Sequence, residues 1–265
     1  MSGEVEGSYV TKECVLESVK CLMRMHQAGL LGGAQMPEDA NPGLERGSAE
    51  NFLYFTLPMA LNYQRNSYAL WRSALQTYQD PETRFVFDPA CVVQRRFEEL
   101  QAALTRYKLA LQPNKQPQTW MKLCASFNLY AGGDVRVLLE RCGWSIPCVL
   151  DFVTRQHKAD FPYLSGTKIS HYWLYVLCQY TSAPLSGKEQ LSVAPDTHVI
   201  QATIQLGLVA ETQRNAADIQ QQVSEAWAAL LKDSGICPIE VHTPLWLWSR
   251  GGWLKIRPTE YQPPV

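Results

Sequence analysis

FPYLSGTKISHYW, residues 161–173, is the stretch on which the reading of this chain turns. It sets a glycine-containing turn directly before an apolar segment. In that segment Ile169, Trp173, Val176, Leu177 and Tyr180 recur at helical spacing, so the residues after the turn are expected to form a helix with one buried face. Gly166 is expected to supply a positive φ and to let a ligand come close to the backbone. The first N–H groups of a helix have no partner within it and attract anions, and Lys168 would add a charge to the same anion. An ordinary turn between two helices has the same spelling.

Further on comes PDTHVIQATIQLGL, residues 195–208. Asp196 is placed to cap a helix carrying Val199, Ala202, Thr203 and Leu206, with Gly207 closing it. The plain reading is a cap. The chemical reading is a carboxylate that stabilises a cationic sugar, or orients a water, while an N-glycosidic bond breaks. His198 would stand in the first turn of that helix, and His171 directly follows the hairpin turn.

These elements resemble those of the helix–hairpin–helix DNA glycosylase superfamily, the endonuclease III-like proteins. The family's hairpin reads roughly L-P-G-V-G-x-K-T-A, which LSGTKIS (164–170) matches in part. Its catalytic aspartate lies in V-D-T-H-V before a helix ending in L-G-L, which 195–208 matches well. Its buried helix ending in a DNA-intercalating Gln is similar to MALNYQRNS (59–67), with Gln64 in that place. The resemblance implies an all-α, multi-helix fold with a cleft between two helical subdomains. It implies Asp196 as the catalytic carboxylate and DNA as the partner, contacted by Gln64, Ser165, Gly166, Thr167, Lys168, Ser170, His171 and His198. The implied activity is base excision: hydrolysis that releases a damaged or modified base.

The chain departs from the family pattern. Lys168 stands at the second hairpin glycine. In a gapless alignment Ser170 occupies the place of the lysine nucleophile of lyase-competent relatives, which favours a monofunctional enzyme that uses water. With a turn two residues shorter, Lys168 is the counterpart and Schiff-base chemistry opens. The family's four-cysteine iron–sulfur loop is missing, since only Cys237 follows Asp196, so no cofactor is expected. The hairpin-to-aspartate connection is lengthened through SAPLSGKEQLSV (182–193).

Composition sets the limits. The 265 residues carry 24 basic and 25 acidic side chains, so nothing in the net charge of −1 advertises a nucleic-acid binder; a local patch would have to do that work. Arg84, Arg95, Arg96, Arg106, Lys108 and Lys115 make 84–115 locally basic. The eight cysteines include no C-x-x-C pair and read as small buried hydrophobes, with no metal site. Every apolar run is too short to span a bilayer, and the polar, acidic start is not a signal peptide, so a cytoplasmic protein without a membrane partner is expected.

Helices are expected over about 11–27, from 50 to 61 with a kink or restart at Pro58, and over 89–111, 119–129, 135–142, 145–156 and 215–232, with at most a short hairpin near the termini. A first segment, 1–48, is set apart by its Gly/Pro-rich loop, followed by a glycosylase-like domain over 49–255 and a tail at 256–265. The Trp-rich TPLWLWSRGGW (243–253) reads equally as a packed clasp or a base-stacking wall. Two other functions stay open: a nucleic-acid-binding module without catalysis, and an N-glycosylase of an RNA base or modified nucleoside. Substrate identity and oligomeric state are not legible.

Overall fold

The computed structural model describes residues 11–31, 36–63 and 65–256. It is all-α: among the described residues there are helices and no β-strand, and the only bridge is an isolated parallel one between Ser145 and Ser186. The short hairpin expected near the termini is therefore not found among them. No described helix is long and apolar enough to cross a membrane. The chain separates into two compact units, Met1–Ala34 with Ser192–Val265, and Gln35–Leu191.

The first unit opens with α1 (Lys12–Gln27). Thr11 caps it by accepting the N–H of Cys14 at 3.3 Å, and Glu13 and Arg24 sit at the ends that the helix dipole favours for each charge. Val15, Val19 and Leu22, spaced four and three apart, are the buried stripe.

The second unit holds the next eight helices. In α2 (Ala49–Tyr54), Ser48 accepts the N–H of Asn51 at 3.2 Å. The helix stops short of Leu61, and Leu57–Leu61 forms a separate tighter 3₁₀ turn. Pro58 is the cause: it has no N–H to return to Tyr54, and its ring disfavours helical geometry at Leu57. α3 (Ser67–Gln79) follows, capped by Asn66.

The single helix expected over 89–111 is two, α4 (Pro89–Val92) and α5 (Phe97–Arg106). Arg96 between them is extended, and the break lets both pieces pack on α6 (Lys115–Ala131). α6 ends where Gly132 turns left-handed at φ 60°, its N–H reaching Asn128 O and that of Gly133 reaching Phe127 O. α7 (Val135–Arg141) and α8 (Ile146–Asp151) follow, and α8 widens into a π-turn over Phe152–Gln156. α9 (Thr167–Tyr180) closes the unit.

The core of this unit is aromatic. Tyr54 packs against Phe55, Trp71, Tyr78 and Phe87 with ring centres 5.3 to 5.7 Å apart. Trp120 and Trp173, both fully buried, satisfy their indole N–H groups on Val86 O at 2.7 Å and Thr56 Oγ1 at 2.9 Å.

α10 (Thr197–Gln205), α11 (Ile219–Leu231) and α12 (His242–Arg250) return the chain to the first unit, and α1 packs on α11 and α12. Trp227 of α11 donates its indole N–H to Thr203 Oγ1 of α10 at 2.8 Å, both residues being fully buried. The Trp-rich segment is largely a clasp. Trp246 and Trp248 are buried, and the Trp248 indole donates to Leu254 O at 2.7 Å. Only Trp253 keeps substantial exposure, its ring edge-on to that of Trp248.

Candidate functional site

The hairpin belongs to the second unit. Phe161 and Leu164 are buried and pin the loop, and the turn is closed by Ser165 N–H to Phe161 O at 2.9 Å and Gly166 N–H to Tyr163 O at 3.0 Å. The expected positive φ at Gly166 is corrected by the backbone: Gly166 is extended, at φ −69° and ψ 134°, and the left-handed residue is Tyr163 at φ 61°. Gly166 is instead the N-cap of α9. A glycine offers no side-chain oxygen, so no side chain caps the first turn. What glycine supplies is room, because a Cβ there would stand 3.2 Å from Tyr163 O.

The other hairpin candidates have distinct places. Thr167 opens α9 and is exposed, and Lys168 is half-buried in the same turn. Ser165 is buried and donates its hydroxyl to Lys158 O at 3.2 Å. Ser170 is fully buried, with its hydroxyl turned back to Thr167 O at 3.1 Å. A hydroxyl so placed touches no backbone phosphate unless the helix moves. Burial holds His171 below its usual pKa, so at neutral pH it brings no positive charge to a phosphate. Gln64 lies outside the described residues.

Asp196 belongs to the first unit. It caps α10 as expected, with Oδ1 accepting the N–H of Val199 at 2.9 Å. The residue is half-buried, and Oδ2 makes no hydrogen bond among the described residues. His198 stands in the first turn of the same helix. Its Nδ1 is 3.2 Å from Ser249 Oγ, which donates to Gln201 Oε1 at 3.2 Å, and its ring meets Trp246 edge-on. A ring held by two neighbours this way is oriented rather than loose.

Two clusters went unread in the sequence. The first joins Tyr63, Lys115 and Tyr163, three residues far apart in the chain, whose side chains meet beside the hairpin. The second is Glu38, fully buried and bonded by the phenol of Tyr172 at 3.1 Å. Glu38 lies in a Gly/Pro-rich stretch that reads as a solvent-exposed loop, and no local signal marks it as buried.

No protein-family model matches the chain, and no curated protein matches it.

Proposed function

We propose that this protein is an N-glycosylase acting on nucleic acid, with Asp196 as the carboxylate that stabilises the sugar cation or orients the attacking water. One observation carries the reading most: the capped carboxylate of Asp196. One oxygen is tied to the backbone, which fixes the group's direction. The other is unspent, on a residue that is neither sealed nor fully exposed. Such a group is held before the reaction begins, which is what electrostatic catalysis needs. His198, in the first turn of α10 and oriented by Ser249 and Trp246, would line the same mouth. Thr167, Lys168 and the side-chain-uncapped start of α9 would receive a phosphate.

On this reading the reaction is hydrolytic. Lys168 remains the residue for a lyase step, because Ser170 is sealed in the core and is no nucleophile. The damaged or modified base, and whether it is borne by DNA, RNA or a free nucleoside, is chosen by contacts beyond Asp196.

A second reading is a binding module without chemistry. It is favoured by the same hydrogen bond, since a carboxylate accepting Val199 N–H already has a structural role as a helix cap. The test is base release from a panel of damaged-base oligonucleotides, scored for abasic sites with and without borohydride trapping. Release by the parent protein that collapses in Asp196→Asn supports the enzyme. Release by Asp196→Asn at the parent rate rules out the proposed role. Trapping that depends on Lys168 establishes lyase chemistry.

A further inference from the structure

Three segments of the second unit come together at the hairpin. Tyr63 packs on Tyr163, ring centres 5.4 Å apart and tilted by 44°. The Lys115 ammonium lies 5.4 Å from the centre of the Tyr163 ring. Arg65 ties the Tyr63 segment to the Lys115 segment, its Nη1 donating to Leu109 O at 2.7 Å and its Nη2 to Lys108 O at 3.2 Å. These contacts bring the three segments together on one surface.

That surface has a definite chemistry. Tyr63 is 50% exposed and Leu111, on the Lys115 segment, 54% exposed, and Lys108 and Lys115 are exposed too. None of the segments 62–67, 108–116 and 161–168 contains an Asp or Glu. The nearest carboxylate in sequence, Asp160, is occupied by the phenol of Tyr130 at 2.8 Å and flanked by Lys122 and His157. Tyr163 beside Lys115 holds the lysine's pKa above its usual value, so the ammonium stays charged at neutral pH.

We propose that Tyr63, Tyr163 and Lys115 form a binding surface for a nucleotide whose base is unpaired, the base lying on Tyr63 and the phosphate on Lys115 with Lys108 in reach. The inference rests on the nucleic-acid reading above and narrows it to the form of the ligand. An exposed ring can stack only on a base whose face is free, and a duplex hides its faces in the stack. A duplex footprint also draws on roughly six to ten phosphate contacts. This surface offers two exposed lysines, and the chain as a whole has a net charge of −1. A single strand and a free nucleotide share the chemistry that the surface fits.

The experiment measures binding of three probes to the full chain by competition anisotropy: a short dye-labelled single strand, the same strand annealed to its complement, and a nucleoside monophosphate. The single strand should bind more tightly than the duplex. Tyr63→Ala, which removes an exposed ring and leaves the fold intact, should weaken single-strand binding about 5- to 150-fold, the range of one base–aromatic stack. Lys115→Gln should lower the salt slope by about 0.7, one phosphate on a single strand. A monophosphate that competes in a Tyr63-dependent way identifies the free nucleotide as the ligand; competition by the strand alone identifies the polymer. Duplex binding as tight as single-strand binding, no binding of any probe, or parent-level binding by Tyr63→Ala overturns the inference. Tyr63-dependent binding without base release sinks only the glycosylase reading, and base release untouched by Tyr63→Ala sinks only this one.

Discussion

The phenol of Tyr172 donates a hydrogen bond to the carboxyl of Glu38 at 3.1 Å, and the Glu38 side chain is buried. Burial dominates there and pushes the Glu38 pKa from its usual 4.5 up to about 7. Its own backbone N–H and the Tyr172 phenol pull the other way. The indole of Trp71, which makes no hydrogen bond of ordinary geometry there, pulls least. The neighbouring Asp39 accepts the phenol of Tyr180 at 2.9 Å, so α9 holds this short segment through two carboxyls.

The folded protein keeps the Glu38 proton to higher pH than the unfolded chain does. Between about pH 4.5 and 7 the folded state therefore binds more protons. Its stability is greatest at the acid end of that window and falls as pH rises through it, by roughly 3 kcal/mol at most. Glu38→Gln removes the titration. Urea unfolding at pH 5 and pH 8 should show a flatter pH dependence in the variant, with the gain in relative stability at pH 8. Parallel pH profiles for the two proteins would mean that Glu38 is not buried as a neutral acid.

Asp196 can be separated into cap and catalyst by two substitutions. Asn is as good an N-cap as Asp, so Asp196→Asn should keep its thermal midpoint, whereas Asp196→Ala should lose about 1 kcal/mol. If the carboxylate stabilises a sugar cation, both variants should lose base release by about 10²- to 10³-fold, the Asn variant with its stability unchanged. A rate loss that merely tracks the stability loss would leave Asp196 as a cap alone.

The hairpin backbone predicts a contrast between two glycines. Gly132 is left-handed at φ 60° with open space around it, so Gly132→Ala suffers only backbone strain, about 1–2 kcal/mol. Gly166 is at φ −69°, which any residue adopts, and an added Cβ meets only Tyr163 O at 3.2 Å. Gly166→Ala should therefore cost less than Gly132→Ala in chemical denaturation. The reverse order would return the positive φ to Gly166.

Thr203 and Trp227 give a test of the first unit's core. Thr203→Val keeps the shape and removes the oxygen that accepts the Trp227 indole, leaving a buried donor unpaired. The expected loss is about 1–3 kcal/mol. Thr203→Ser, which keeps the oxygen, should lose less; a Ser variant less stable than the Val variant would show that the methyl group, not the hydrogen bond, matters.

Much of the helical pattern was legible because it is local. The helix over about 11–27 and the cap at Asp196 depend on residues within a turn or two of each other, and both appear where the sequence places them. The same local logic failed over 89–111, where apolar periodicity continues but the chain breaks between Val92 and Phe97 so that two short helices pack on α6. It failed again at Gly166, because a glycine marks permission for a positive φ, not its use.

By itself, then, the sequence determined the all-α class, the start of α9 at the hairpin and the capping role of Asp196, all matters of helical periodicity and side-chain-to-backbone bonds a few residues long. The tertiary structure decided what those elements surround. The distant Tyr172 makes Glu38 a buried acid, and the packing of α9 seals Ser170. Tyr63, Lys115 and Tyr163 become one surface only because Arg65 and the aromatic contact draw three loops together. Burial and cross-chain contact depend on which faces meet, and no short window of residues contains that.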